Sequence, residues 1–234
     1  MLKVISFKIC PFVQRVTALL EAKQIPYDIE FISLKDKPQW FLDISPTGQV
    51  PVLVTESGQA LFESDAIVEY VEEVSSPLED DLNPEQRAID RAWAYQATKQ
   101  YLPQCSAQRS PSKMVLDERA AKLGKAFARA EVVVKGPLFK GEALSNVDIA
   151  WLPLLHRAAL IECHSGYDFL AGYSNVKAWQ KALLTTGLAE HSVAADFDEA
   201  FLGFYLSDET YLGAGRVCAN DGGEGDRCLS NVCC

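Results

Sequence analysis

Basic side chains are the minority charge in this sequence of 234 residues, where 22 Lys and Arg stand against 32 Asp and Glu. The resulting formal charge of -10 repels phosphate backbones and anionic lipid surfaces, which excludes nucleic acid as an expected partner. No apolar run approaches the roughly 18 residues of a membrane-spanning helix. The opening segment LKVISF lacks the basic region and long apolar run of a secretory signal. We therefore expect a cytoplasmic protein with no membrane partner.

Residues that could bind a metal are also few or badly spaced. The three histidines have no metal-ligand spacing, and the cysteines near the C-terminus do not form the two spaced pairs of a zinc site. The other cysteines are scattered through the body of the chain, which is not the pattern of a disulfide framework. We expect no bound metal. The residues considered are His156, His164, His191, Cys10, Cys105, Cys163, Cys218, Cys228, Cys233 and Cys234.

Short strands and helices alternate over the first 74 residues. Apolar runs and helical spacing predict, in chain order, a strand at 2–7, a helix after Cys10, a strand at 27–32, a short helix from Pro38, a hairpin of QVPVLV and QALFE, and a helix capped by Ser64. Pro11 suits the first turn of a helix, where its missing N–H is not needed. This order predicts a mixed α/β domain over residues 1–74.

The remainder of the chain has a different character. Residues 75–83 are polar and contain proline, as linkers do. The pattern of residues 84–212 predicts a helical domain, with helices near 84–105, 113–135, 146–163 and 174–186. Ser145 and Asp148 form a capping-box pattern before an apolar run, in which Pro153 predicts a kink or an offset first turn. Residues 213–234 are rich in glycine and cysteine and predict a flexible tail.

Cys10 is the first candidate for chemistry. The predicted loop between strand and helix brings its sulfur near the free N–H groups of the helix, and such a position lowers a thiol pKa from about 8.5 and makes thiolate available. The commoner role of an isolated cysteine is that of a small buried hydrophobe. Both interpretations stay open on position alone.

Two further segments suggest a site for a peptide-like ligand. A cis bond between Val50 and Pro51 would leave the backbone of Val50 free to pair with an extended ligand. Glu63 and Ser64 place a carboxylate and a hydroxyl at a helix start, which can bind an ammonium group and a carboxylate. A ligand with a thiol, a peptide backbone and an amino-acid head group would fit.

The segments CPFVQR, LKDKPQWF, SPTGQVPVL and FESDAIVEY together resemble the glutathione-binding domain of cytosolic glutathione transferases, most closely the omega class and its bacterial relatives. GEALSNVDIA is similar to the capping motif of that family's second domain, with Val147 where alanine is commoner. The resemblance extends to about residue 205. It implies a thioredoxin-like α/β N-terminal domain followed by an all-α C-terminal domain.

The resemblance also implies a role for individual residues. Cys10 would face the glutathione sulfur with Phe12 beside it, and Lys37 would lie near the glycine carboxylate. Val50, ahead of a cis Pro51, would pair with the cysteinyl backbone. The full set of site residues implied is Cys10, Phe12, Leu34, Lys37, Val50, Pro51, Glu63 and Ser64.

The position of Val13 favours one type of reaction. A Cys-x-x-Cys motif would need a second cysteine where Val13 stands, so Cys10 has no resolving partner within the motif. A mixed disulfide between Cys10 and glutathione is then the expected intermediate. The resemblance implies thiol transfer, removal of glutathione from mixed disulfides and dehydroascorbate-type reduction, with glutathione as co-substrate, a glutathionylated thiol or small molecule as substrate, and a homodimeric enzyme.

Two other functions remain possible from the sequence. Conjugation of glutathione to electrophiles is one, although it typically uses a serine or tyrosine hydroxyl. A non-catalytic, transferase-like stress regulator is the other, although retention of Cys10, Lys37, Glu63 and Ser64 argues against a decayed site. The acceptor substrate is not predicted, because Trp93, Tyr95 and Tyr101 fit a helical core better than a cleft.

Overall fold

A computed structural model describes residues 1–214 of the chain. Its first part contains β1 (Leu2–Ser6), α1 (Pro11–Ala22), β2 (Tyr27–Phe31), α2 (Gln39–Ile44), β3 (Val52–Val54), β4 (Ala60–Phe62) and α3 (Ser64–Val74). These elements match the predicted order of strands and helices. Pro11 is the first residue of α1, as predicted. Ser64 does not cap α3 but is its first residue, since Glu63 takes the capping position.

One four-stranded sheet holds this part together, with the strand order β2-β1-β3-β4. β1 pairs with β2 in parallel and with β3 in antiparallel register, and β3 pairs with β4 in antiparallel register. Successive side chains of the central strands are buried on both faces, as Val4, Ile5, Val52 and Leu53 are. Helices therefore cover both faces, and the predicted thioredoxin-like α/β fold is confirmed.

The rest of the described chain is helical, as predicted. It contains α4 (Pro84–Gln108), α5 (Lys113–Val133), α6 (Asn146–Ser165), α7 (Ser174–Leu184), α8 (Leu188–His191) and α9 (Phe197–Tyr205). α8 and α9 were not predicted. α4 runs past Pro103 to Gln108, and α6 continues through Pro153 as one helix, so that proline does not end it.

The capping box at the start of α6 is confirmed. Ser145 accepts a hydrogen bond from the backbone N–H of Asp148, and Asp148 accepts one from the backbone N–H of Ser145. Asp148 also accepts from the backbone N–H of Phe139 at 2.9 Å and from Nε1 of Trp179 at 2.6 Å. This buried carboxylate therefore connects α6 to α7 and to the loop before α6.

Contacts between α1 and α6 join the thioredoxin-like part to the helical part. Gln14 of α1 hydrogen-bonds with both His156 and Arg157 of α6. Thr17, one turn further along α1, donates to the backbone carbonyl of Ser192 at 2.6 Å. The helix that begins at Cys10 is thus held from the helical side. Of the predicted tail at 213–234, residues 215–234 lie outside the described residues, including Cys218, Cys228, Cys233 and Cys234.

Candidate active site

Cys10 lies at the start of α1, as predicted. The chain leaves β1 at Ser6 and turns tightly, so that the Cys10 N–H donates to the carbonyl of Phe7 at 3.0 Å. Cys10 occupies the N-cap position with extended backbone. Its side chain accepts no capping hydrogen bond, but the nearby backbone N–H groups of Val13 and Phe12 act to lower the pKa of its thiol. The first turn of the helix therefore supplies two donors to any negative charge on Cys10.

The prediction that this position lowers the thiol pKa is wrong for this structure. Burial raises the pKa of Cys10 to about 11, against the opposing effects of the N–H groups of Val13 and Phe12 and of the Arg157 charge. Burying the thiolate away from water costs more free energy here than the N–H groups at the helix terminus contribute. At neutral pH the Cys10 thiol is therefore protonated, and the surrounding donors act on the thiolate once it forms.

A cavity of about 290 Å³ opens beside Cys10 and contacts every residue implied by the sequence resemblance. The residues come from the β1–α1 turn, the loop before α2, the turn before β3 and the start of α3. These residues lie in segments that are far apart in the sequence, and the fold brings them together at the cavity. They are Cys10, Phe12, Leu34, Lys37, Val50, Pro51, Glu63 and Ser64.

Lys37 bridges two of the loops around the cavity. Its ammonium Nζ donates to the carbonyl of Gly48 at 2.8 Å. Gly48 has a positive φ of 61°, which glycine adopts without steric cost and which shapes the turn before β3. Leu34, on the same loop as Lys37, is partly exposed at the cavity. A cation and an apolar side chain therefore border one end of the cavity.

The turn before β3 and the start of α3 border the cavity as well. The Val50–Pro51 bond is cis, as predicted. Glu63 has a positive φ of 67°, a conformation that costs a non-glycine residue about 1 kcal/mol or more. Ser64 follows as the buried first residue of α3, and Asp65 is paired with Arg15 of α1. A carboxylate, a hydroxyl and a helix N-terminus thus meet at this wall of the cavity.

The helical part contributes Leu102, a cavity residue that the sequence did not predict. Its side chain is 66% exposed and is carried by α4. Tyr101, next to it, is buried, with its ring 5.0 Å from that of Phe12, so α4 packs directly against the start of α1. Trp93 packs on Phe139 at 5.4 Å and Tyr101 is buried, in agreement with the core position expected for them, whereas Tyr95 is exposed and the expectation is wrong there. Thr47, Gly48 and Gln49 also line the cavity.

Arg157 is a further residue that sequence reasoning missed. It is fully buried and donates to the carbonyl of Ile9 at 3.2 Å, to the carbonyl of Pro153 at 3.1 Å and to the side chain of Gln14. No carboxylate in residues 1–214 lies within ion-pair distance of it, and its Nε has no hydrogen-bond partner there. A buried cation without a carboxylate is costly, and an arginine inside an apolar helical run was the signal that could have revealed it.

His156, next to Arg157, has a structural role. Its ring stacks on Phe197 at 5.3 Å, and its Nδ1 is 2.9 Å from Nε2 of Gln14. Burial lowers the pKa of His156 to about 3, and the neighbouring Arg157 charge acts in the same direction. His156 therefore stays neutral in the physiological pH range, and Gln14 bonds both it and Arg157 just below the Cys10 turn.

The arrangement is thus a thioredoxin-like domain with a cysteine at the start of its first helix and a helical part that contributes to one side of the cavity. The family model described as glutathione S-transferase, N-terminal domain, matches residues 9–74. Glutathione S-transferase DHAR2 of Arabidopsis thaliana is 32% identical over 79% of this chain and 84% of its own. Glutathione S-transferase omega-1 of Sus scrofa is 30% identical over 79% of this chain and 77% of its own.

A solved structure agrees with these relatives. Glutathione transferase Omega 3C from Trametes versicolor superposes with a TM-score of 0.72 at 31% identity, covering 82% of this chain and 89% of that one. The chain belongs to the glutathione S-transferase family. Within residues 1–214, no helix has both the length and the apolar character needed to cross a membrane.

Proposed function

We propose that the protein is a glutathione-dependent thiol transferase of omega type, in which Cys10 forms a mixed disulfide with glutathione. The observation that carries this proposal is a cysteine at the N-cap of α1, beside a cavity that presents Lys37 at one part of its wall and Glu63 at another. Val13, which stands where a second motif cysteine would be, is buried in the core. Cys10 therefore has no partner one helical turn away.

Glutathione fits the cavity by its chemistry. Its glycine carboxylate would face the ammonium of Lys37, and its γ-glutamyl ammonium would face the carboxylate of Glu63. The γ-glutamyl carboxylate would accept N–H groups at the start of α3 near Ser64. Val50 would pair with the cysteinyl backbone beside Pro51, with Leu34 and Phe12 against the apolar parts. Glutathione transferases of rice and of Methylobacillus flagellatus with this fold have been solved with glutathione bound.

The reaction begins when the Cys10 thiol loses its proton. Its thiolate attacks the glutathione sulfur of a mixed disulfide, the substrate S–S bond breaks, and the substrate leaves as a thiolate that takes up a proton. A second glutathione thiolate then attacks the glutathione sulfur on Cys10, releasing oxidised glutathione and restoring the Cys10 thiolate. The N–H groups of Phe12 and Val13 and the charge of Arg157 stabilise the thiolate at each stage.

The substrate range and setting follow from likeness to named relatives. Dehydroascorbate-type reduction is included in the proposal because the fold is shared with a dehydroascorbate reductase of Chlamydomonas reinhardtii, at a TM-score of 0.62. A rice relative, 30% identical over 79% of this chain, is named as cytosolic, and we place this protein in the cytoplasm by that likeness. Conjugation of electrophiles is the alternative reaction at the same cavity.

Two variants of Cys10 separate the reactions. Cys10→Ala should abolish reduction of hydroxyethyl disulfide by glutathione, because loss of a covalent nucleophile removes several orders of magnitude of rate. Cys10→Ser should abolish it too, while conjugation of an aryl halide stays level or rises, because a hydroxyl can donate to bound glutathione thiolate. Exposed Ser106→Ala, on α4, is the control and should keep the wild-type rate. Disulfide reduction that survives Cys10→Ala would reject the proposal.

A further inference from the structure

A second thiol, Cys105, lies on the face of α4 that is turned toward the Cys10 turn. It follows Tyr101 by four residues and Leu102 by three, and residues at these spacings share one face of a helix. Tyr101 contacts the ring of Phe12 at 5.0 Å, and Leu102 lines the cavity with Cys10. Both sulfurs are free thiols and both residues are partly exposed. Cys105 therefore lies one helical turn beyond the α4 residues that contact Phe12 and line the cavity.

The two thiols share a buried positive charge. Arg157 has no carboxylate partner in residues 1–214, and the groups whose negative charge it would offset are Cys105, Tyr205, Cys10 and Tyr101. The two thiols also influence each other, because a negative charge on Cys105 disfavours a negative charge on Cys10. Arg157 is thus an electrostatic neighbour of both thiols.

Tyr205 is a neighbour of Cys105. Burial, followed by the proximity of Cys105, raises the pKa of Tyr205. The phenol therefore stays protonated and is a hydrogen-bond donor in the neighbourhood of the Cys105 thiol.

We propose that Cys105 is a resolving cysteine for Cys10, supplied by the helical part of the chain in place of the second cysteine that the Cys-x-x-Cys motif lacks. The proposal rests on the proposed function, because it acts on the mixed disulfide between Cys10 and glutathione. Cys105 would therefore react with the mixed disulfide that Cys10 forms with glutathione in the proposed reaction.

The exchange balances without an added oxidant. The Cys105 thiolate attacks the Cys10 sulfur, the bond from Cys10 to glutathione breaks, and glutathione leaves as a thiolate that takes up the proton lost by Cys105. The product is a Cys10–Cys105 disulfide. One glutathione thiolate attacks the Cys10 sulfur and releases Cys105 as a thiolate that takes up a proton. A second attacks the glutathione sulfur on Cys10 and releases oxidised glutathione, so that two glutathiones are oxidised for each Cys10–Cys105 disulfide reduced.

Trypsin gives a direct test, because its sites place the two cysteines in separate peptides, 9–15 and 100–109. The full chain is treated with one equivalent of oxidised glutathione, free thiols are blocked with iodoacetamide, and the non-reduced digest is analysed by mass spectrometry. We expect peptide 9–15 joined to peptide 100–109 in the wild type and in the control Ser106→Ala. In Cys105→Ser, we expect a lasting glutathionyl group on peptide 9–15.

Each other outcome has a distinct meaning. In one such outcome, the wild type keeps the glutathionyl group on peptide 9–15 as long as Cys105→Ser does, and its Cys105 is blocked by iodoacetamide. That result overturns the resolving role of Cys105 and leaves the proposed function standing. A wild type in which peptide 9–15 carries neither glutathione nor a cross-link overturns both. The wild-type digest decides these cases even if a variant fails to fold.

Discussion

The Cys10 side chain is subject to two opposing influences, and their balance sets how the free protein reacts. Helix N–H groups and Arg157 favour the thiolate, while burial disfavours it and raises the pKa to about 11. With a raised pKa, the thiolate is the minor form at neutral pH, about one in ten thousand at pH 7, and increases about tenfold with each pH unit up to the pKa.

The rate of alkylation of Cys10 should follow that pH dependence. In the free protein we expect the iodoacetamide modification of peptide 9–15 to rise about tenfold per pH unit between pH 7 and 10, because only the thiolate reacts. Unfolding in urea should speed the reaction at pH 7, since it removes the burial that raises the pKa. A rate that levels off near neutrality in the folded protein would contradict the raised pKa.

Among the elements, α6 depends most on a single side chain. Asp148 caps the helix and also accepts hydrogen bonds from Phe139 and Trp179, all in the buried interior. Asp148→Ala leaves several donors unpaired, and we expect it to lower the free energy of unfolding by about 3 kcal/mol or more in a urea titration.

The exposed capping box of α4 provides the matched comparison. Asn83 accepts from the backbone N–H of Gln86 at 2.9 Å, but at the surface, where water can replace the bond. Asn83→Ala should therefore cost only about 1 kcal/mol. Equal losses for Asn83→Ala and Asp148→Ala would show that the buried connections of Asp148 add nothing to its role as a cap.

Whether a feature could be predicted depended on how far apart in the sequence its interacting residues lie. The start of α1 at Pro11, the cis bond at Pro51 and the box at Ser145 rest on residues close in sequence, and each was predicted. The cavity residues of the first 64 positions were found through motif resemblance. The pKa of Cys10, the place of Leu102 and the buried Arg157 depend on how the helical part packs against α1. No local pattern encodes that packing.

At the scale of the whole molecule, we propose a homodimer, in which the first domain of one protomer meets the helical domain of the other. Phe62 on the edge strand β4 and Ile89 and Tyr95 on α4 leave apolar surface exposed, which such an interface would cover. Light scattering at micromolar concentration should give twice the 25.8 kDa of one chain. The mass of a single chain would contradict the dimer.

The most direct test of the account follows the glutathionyl group itself during a single turnover. Cys105→Ser is mixed with a glutathionylated peptide in the absence of free glutathione, and the reaction is stopped with acid. We expect peptide 9–15 to gain one glutathionyl group for each substrate thiol released. Release of substrate thiol while Cys10 stays unmodified would contradict it, because the sulfur would then have moved without passing through Cys10.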